Sequence, residues 1–215
     1  MKRLRLLQLM PQFILPEDAG GKIGIANIYR QFSRHFDVTM IAICNELPER
    51  AYVAEAERYG TVRLINADVR NSRDNIVRAL ISGEPVYLHK FQKRDIAANI
   101  RRIVNEVRPD IIHADHTSMA QLALLGREIC DPVIGLRLHN LEHMIWQRHA
   151  TSPVNGVIRR TLLDREARML KRAEAELIAR MDVNFAITDN DRDLALTMSP
   201  AARVLVASAG IDPEK

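Results

Sequence analysis

The residue types best suited to chemistry crowd into one short stretch, His139-Asn140-Leu141-Glu142-His143, which follows the apolar run Val133 to Leu138. That run reads as a strand, and in an open α/β sheet ligands sit just beyond the carboxyl ends of the strands. His139 and Asn140 therefore stand where a ligand is expected. A neutral imidazole there can hydrogen-bond a hydroxyl or a phosphate oxygen. The plainer alternative is that His139 satisfies a neighbouring backbone carbonyl and Glu142 only complements a helix dipole. The same five residues also fit H-x-x-E-H, a zinc-peptidase pattern. That chemistry needs both histidines on one helix face, reaching a single metal. With Asn140 as helix N-cap, His139 lies outside the helix and His143 inside it, which opposes a shared metal.

Two further groups invite a reading. His113, Asp115 and His116 lie at the end of the run Asp110 to Ala114. Alternation places His113 and Asp115 on one face, with His116 starting a loop. No further ligands gather there to complete a metal site, so a polar strand-end loop is expected, with contact to a substrate as the sharper reading. Gly20-Gly21-Lys22 follows the first apolar run and opens the first helix. Glycines allow close approach of a ligand, and helix-start N–H groups attract phosphate. GGKIG lacks the full dinucleotide fingerprint and the Walker lysine-serine pair, which leaves a flexible loop as the alternative.

The elements that must hold these residues alternate along the chain. Strands are expected at Arg5 to Met10, Val38 to Cys44, Val62 to Ile65, Asp110 to Ala114, Val133 to Leu138, Asp182 to Ile187 and Val204 to Val206. Helices are expected at Ile23 to His35, Ala51 to Tyr59 closed by Gly60, Asp74 to Leu80, Arg94 to Val107 stopped by Pro109, and Met119 to Ile129. The segment after His139 is helical and carries the single tryptophan, Trp146. Ser152-Pro153 and Asn155-Gly156 bound it. A long helix, Val157 to Met181, keeps an apolar period through Ile158, Leu162, Met169 or Leu170, Ala173, Leu177 and Met181. Its other face holds seven Arg or Lys and four Asp or Glu counted from Gly156 to Met181. Thr188 starts the last helix, with Asp191 three positions on. This βαβ rhythm specifies an α/β fold, a doubly wound, mainly parallel sheet flanked by helices.

Composition narrows the class. The 215 residues are 47% hydrophobic and 27% charged, ordinary for a folded domain and opposed to disorder. A net charge of +4 permits a polyanion or an anionic membrane without requiring either. Aromatics make up 5% and none interleave with the basic residues, which argues against nucleic acid. Cys44 and Cys130 fit reduced core thiols in a cytoplasmic protein. The basic start, Lys2, Arg3 and Arg5 before Leu6 to Leu15, imitates a signal peptide, but Gln8, Pro11 and Gln12 interrupt it. The basic helix Val157 to Met181 is the candidate for peripheral contact with anionic lipid. Its interspersed Asp164, Glu166, Glu174 and Glu176 favour a solvated charged face instead.

Several segments in order carry a family resemblance. They are the first strand with Pro11 and Gly20-Gly21; PDIIHAD at Pro109 to Asp115; LRLHNLEHMIWQR at Leu136 to Arg148; the Arg- and Glu-rich helix ending RMD; FAITDNDRDL at Phe185 to Leu194; and VLVASAGID at Val204 to Asp212. Together they resemble the amino-terminal domain of a family-4-type retaining glycosyltransferase of the GT-B fold, similar to bacterial exopolysaccharide sugar transferases. The resemblance implies a Rossmann-like domain over residues 1–208. Residues 209–215 would begin a connector to a carboxyl-terminal donor-binding domain absent from this sequence. It implies sugar transfer from a nucleotide-sugar donor to a glycan or lipid-linked acceptor, without a metal cofactor, at the cytoplasmic membrane face. His139 would be the catalytic contact to the transferred sugar. Gly20 and Gly21 would approach the donor, and Asn140 and His116 would line the acceptor side. Where the family connector carries Pro-Asn, this chain has Ser208-Ala209. A sugar-nucleotide epimerase of the same fold and a non-enzymatic Rossmann-like binding module are the alternatives.

Overall fold

The computed structural model describes residues 3–152 and 156–208. Pro153, Asn155 and the expected connector at 209–215, with Gly210-Ile211-Asp212, lie outside the described residues.

Seven strands form one all-parallel sheet: β1 (Arg5–Met10), β2 (Asp37–Cys44), β3 (Thr61–Asn66), β4 (Ile111–Asp115), β5 (Val133–Leu138), β6 (Val183–Ala186) and β7 (Val204–Val206). Their spatial order is β3-β2-β1-β4-β5-β6-β7, so the winding reverses between β1 and β4. In register Gln8 of β1 lies beside His113 of β4, and His113 beside Gly135 of β5. The helices are α1 (Gly20–His35), α2 (Arg50–Glu57), α3 (Arg73–Ser82), α4 (Val86–His89), α5 (Arg94–Val107), α6 (Thr117–Leu124), α7 (Glu142–Thr151), α8 (Val157–Arg180) and α9 (Asp189–Met198). None is long and apolar enough to cross a membrane, among the described residues.

The two faces of the sheet carry two cores. Leu7, Leu9, Ile112, Ala114, Ile134 and Leu136 pack against α5, α6, α8 and α9. Leu6, Met10, Met40 and Ala42 pack against α1 and α2. Parallel strands need cover on both faces, which is why β1 and β2 are apolar almost without alternation. α5 shows how pattern becomes packing. Ile96, Ile100, Ile103 and Val104 recur at helical spacing and are all buried, each contributing about 1.5–3 kcal/mol by leaving water. Arg108 at φ 48° turns the chain out of α5, and Pro109 bars continuation.

Four expectations are corrected. The segment Met119 to Ile129 is α6 followed by a short 3-10 turn, Leu125–Glu128. Gly60 does not close its helix through a left-handed conformation; a side chain there would lie 2.5 Å from the Val38 carbonyl oxygen, so the close approach of the α2–β3 turn to β2 requires glycine. Ile158 and Leu162 of α8 face solvent, and the buried stripe of that helix is Glu166, Ala167, Leu170, Glu174, Leu177 and Ile178. Two of the four acids expected on a solvated face are thus core residues. Asn140 is exposed and does not cap α7; Leu141 stands at the N-cap, because a carboxylate from α8 supplies the cap.

Candidate functional site

The strand ends of β1, β4 and β5 meet beside the winding reversal, and their polar residues converge there. Asp115, the last residue of β4, is fully buried at 0% exposure. It accepts a short hydrogen bond from Gln8 Nε2. Arg137 Nη1 of β5 stands 3.7 Å from its Oδ1, His139 Nε2 3.4 Å and His113 Nε2 3.5 Å. Burial alone would raise the Asp115 carboxyl. The charge of His113 and hydrogen bonds from His113, His139 and Gln8 outweigh it and hold the group well below the usual carboxylate range.

Arg137 is also buried, and its charge is answered by Asp115. Its Nη1 lies 3.2 Å from His139 Nε2. Burial pushes the His139 imidazole down, and the nearby charges of His116 and Arg137 push the same way against the Asp115 hydrogen bond. The ring is therefore neutral at pH 7. Nε2 of the ring thus faces a donor, Arg137 Nη1 at 3.2 Å, and an acceptor, Asp115 Oδ1 at 3.4 Å, and the tautomer decides which of the two contacts is the hydrogen bond.

His116 stacks on His139, with ring centroids 4.2 Å apart and planes 7° from parallel. Its backbone sits at φ 97°, ψ 145°, a region that favours glycine and costs a side-chain-bearing residue of order 1–3 kcal/mol. Its N–H donates to the Arg137 carbonyl at 3.2 Å, and its Nδ1 lies 3.5 Å from Glu142 Oε1.

α1 approaches the cluster amino end first. Arg137 nitrogens lie 3.8 and 3.9 Å from where a Gly24 side chain would begin. Gly20 is one turn earlier on the same helix face, about 6 Å along the axis. Gly20 and Gly21 are exposed, and a Cβ on either would meet no atom within 4 Å. The first turn of α1 has no side-chain cap and no acidic residue. Its free N–H groups are open to an anion.

The start of α7 is the reverse case. Glu174 of α8, at 0% exposure, accepts from the Glu142 N–H at 2.8 Å and the His143 N–H at 3.0 Å. It also takes His143 Nδ1 at 2.7 Å and the Thr117 hydroxyl at 3.5 Å, tying the starts of α6 and α7 together. Eight residues earlier on the same face, Glu166 accepts from the Tyr87 N–H at 3.3 Å in α4. The two histidines of the H-x-x-E-H pattern therefore take different carboxylates, His139 at Asp115 and His143 at Glu174. Among the described residues no group of three or more His, Cys, Asp and Glu is placed to hold a metal ion.

Beside this cluster a cleft of about 520 Å³ opens over the ends of β1, β2 and β4, lined by Phe13, Lys22, Asn45, Tyr87, Lys90 and His116 among others. Lys90 lies over the Tyr87 and Phe91 rings at 5.6 and 5.3 Å. Burial lowers its ammonium pKa, opposed by the charge of Glu142. The structure thus brings His116 and His139 together and sets Gly20 and Gly21 one turn from Arg137. It leaves Asn140 exposed and outside the lining of the cleft. Sequence reasoning missed Gln8, Arg137, Lys90 and Glu174. For Gln8 and Arg137 a signal existed: each is a lone polar residue inside an otherwise apolar strand, and such a residue is rarely buried without a partner.

No protein-family model and no curated protein matches the sequence. Solved structures do. The chain is similar to a lipopolysaccharide outer core galactosyltransferase, WaaB, in its apo form, at 12% identity and TM-score 0.60, over 97% of this chain and 46% of that one. It is similar to a sucrose-phosphate synthase from Thermosynechococcus elongatus at 11% identity and TM-score 0.58, over 97% of this chain and 49% of that one. It is similar to HepE from Anabaena, solved in complex with UDP-glucose, at 12% identity and TM-score 0.57, over 98% of this chain and 45% of that one. At such identity the likeness is one of fold. The chain has the Rossmann-like α/β fold of one half of a GT-B glycosyltransferase and spans about half the length of the structures it matches.

Proposed function

We propose that this chain is the acceptor-side half of a glycosyltransferase that moves a hexosyl group from a nucleotide-sugar to a glycan or lipid-linked acceptor, with retention of configuration, in the manner of the family-4 type. One observation carries the reading. A neutral histidine stands at the strand ends against a buried Arg137–Asp115 pair, and Arg137 in turn lies against Gly24, one turn into the uncapped, glycine-opened α1. The fold's likeness to structures of glycosyltransferases supports it.

In this reading the N–H groups of Gly20 and Gly21 face the donor diphosphate, where a helix start favours negative charge. His139 hydrogen-bonds a hydroxyl of the transferred sugar and orients it. The bond from the anomeric carbon to the diphosphate oxygen breaks. The acceptor hydroxyl oxygen bonds that carbon on the same face, and its proton leaves with the diphosphate. His116, Asn140 and the cleft with Lys90 line the acceptor side. The residues act by positioning and by electrostatics, and the reading calls for no metal cofactor. It places the work in the cytoplasm, in keeping with the two free thiols, Cys44 and Cys130.

Calorimetric titration with UDP-glucose and GDP-mannose, together with turnover of the full-length enzyme, tests it. The chain alone binds nucleotide-sugars weakly, and His139→Ala in the full-length enzyme lowers turnover by about 100-fold, as loss of one preorganised donor does. Tight binding by the chain alone would put the donor site in this half, and unchanged turnover would remove His139 from the site.

A further inference from the structure

α3 is built inside out. Of its ten residues only Asn75 and Ala79 are buried, while Ile76, Val77, Leu80 and Ile81 are all exposed, Ile81 at 82%. At 100° per residue, Val77 and Ile81 point away from the buried pair. The helix is not free to roll, because Asn75 Nδ2 donates to the Arg70 carbonyl at 2.8 Å and Ser72 caps its first turn. The start of α8 repeats the arrangement, with Val157 at 80%, Ile158 at 81% and Leu162 also exposed. Ile76, Leu80, Trp146 and Leu162 line a cleft of about 230 Å³ that joins the two helices. Seven of the thirteen exposed large hydrophobics among the described residues fall on these two segments, which makes a patch rather than a scatter, and such patches mark interaction sites.

The charges around the patch say what covers it. Arg73, Arg78 and Arg159 are exposed beside these aliphatics, and among the described residues none of them pairs with a carboxylate. The nearby acids are Asp74, exposed on α3, Asp164, which is engaged by Arg168, and Glu166, which lines the cleft but is turned inward to accept from the Tyr87 N–H. Exposed aliphatic side chains with unpaired arginines at their margin are the chemistry of a helix lying in a membrane interface, where the apolar side enters the acyl boundary and each basic residue near an anionic surface adds about 1 kcal/mol.

We propose that α3 and the first two turns of α8 form a surface that docks on an anionic phospholipid bilayer, with Val77, Ile81, Val157 and Ile158 entering the lipid and Arg73, Arg78 and Arg159 meeting the phosphates. This moves the contact expected of the whole helix Val157 to Met181 onto its exposed start, since the rest turns Leu170, Glu174 and Leu177 inward. It stands independently of the reaction proposed above.

The test is co-sedimentation of the chain with phosphatidylcholine vesicles, with and without phosphatidylglycerol. The chain pellets with the anionic vesicles and stays in solution with the neutral ones. Val77→Ser with Ile81→Ser lowers the partition by about tenfold, and Arg73→Gln with Arg78→Gln lowers it and flattens its salt dependence. A second readout needs no variant. Trp146 is the only tryptophan and lines the cleft, so brominated anionic lipid quenches its emission on docking. A chain that stays in solution with anionic vesicles, equal binding to neutral ones, serine variants that pellet like the parent, or unquenched Trp146 in the pelleted chain would each overturn the proposal. Concentration-dependent self-association without vesicle binding would assign the face to a second copy and overturn it likewise.

Discussion

Glu174 holds His143 twice, accepting from its backbone N–H at 3.0 Å and from its Nδ1 at 2.7 Å. One buried carboxylate on α8 thereby caps α7 from outside the local sequence and fixes where the polypeptide leaves β5 through His139. Its opposite is α1, whose amino end has no side-chain cap. Two helices start near the same strand ends; one has its free N–H groups sealed by protein and the other leaves them open.

Glu174→Ala leaves two backbone donors and an imidazole nitrogen buried without an acceptor. The expected loss is about 3–5 kcal/mol, as for breaking a buried charged network by removing one partner. Glu174→Gln keeps one acceptor oxygen and loses less. Glu166→Ala gives up the Tyr87 N–H contact at 3.3 Å and the Val86 N–H contact beside it, a helix cap whose loss costs about 1 kcal/mol. Urea unfolding of the three variants checks the order; equal losses at positions 166 and 174 would contradict this account of the cap.

The Asp115 cluster makes stability depend on acid. The folded-state pKa of Asp115 is depressed, so its contribution is complete above the ordinary carboxylate pKa of about 4 and disappears as pH falls through the folded value. His139 is also depressed. Between its folded value and the ordinary imidazole value of about 6.5, the unfolded chain binds more protons, so stability falls with pH there too. Both slopes have the same sign. Unfolding free energy measured from pH 7 downward drops first in the histidine window, and His139→Gln removes that first portion. Asp115→Asn, which strands the buried Arg137 charge, costs about 3–5 kcal/mol near pH 7. A flat profile from pH 7 to 5 would contradict the neutral-imidazole assignment.

Much of this architecture can be read in the chain itself. All seven strands and the face of α5 follow from apolar runs and helical periods, because a parallel sheet buried on both sides imposes them. Thr188 behaves as its local motif requires, accepting from the Asp191 N–H at 3.1 Å. The cap of α7 was not legible. Asn140 has the right residue type at the right place, yet the acceptor comes from 32 residues away, and no local rule reports a carboxylate arriving through tertiary packing. The same limit hides the setting of His139. Its position at a strand end is local information, whereas its polar surroundings depend on Arg137 held against Asp115 of the neighbouring strand. α8 misled for a related reason. Glu166 and Glu174 look like solvated charges until the helix starts they cap are in view.

His116 separates strain from function. Its positive φ of 97° costs of order 1–3 kcal/mol for any residue with a side chain, and His116→Gly removes that strain along with the ring stacked on His139. Thermal unfolding of the glycine variant is expected at or above the parent's midpoint. His139 loses its stacking partner and the nearby charge that helps depress its pKa. NMR titration of the His139 ring then shows its pKa rising. A large loss of stability would mean that the stacked pair, and not the site, is the reason for a histidine in that conformation.

Gly20 and Gly21 permit the same separation by a cleaner route. Neither has a positive φ, and an added Cβ on either meets nothing within 4 Å. The folded chain alone thus gives no steric reason for glycine at these positions. Gly20→Ala and Gly21→Ala reduce the freedom of the unfolded chain and add helix propensity to the first turn of α1, so each is expected to stabilise by up to about 1 kcal/mol. If the open end of α1 receives the donor diphosphate, the same methyl groups stand between ligand and backbone. Nucleotide-sugar affinity of the full-length enzyme then falls while its melting temperature rises. Opposite movement of the two quantities is what a ligand-facing glycine produces. Unchanged affinity in both alanine variants would return this pair to the role of a simple turn.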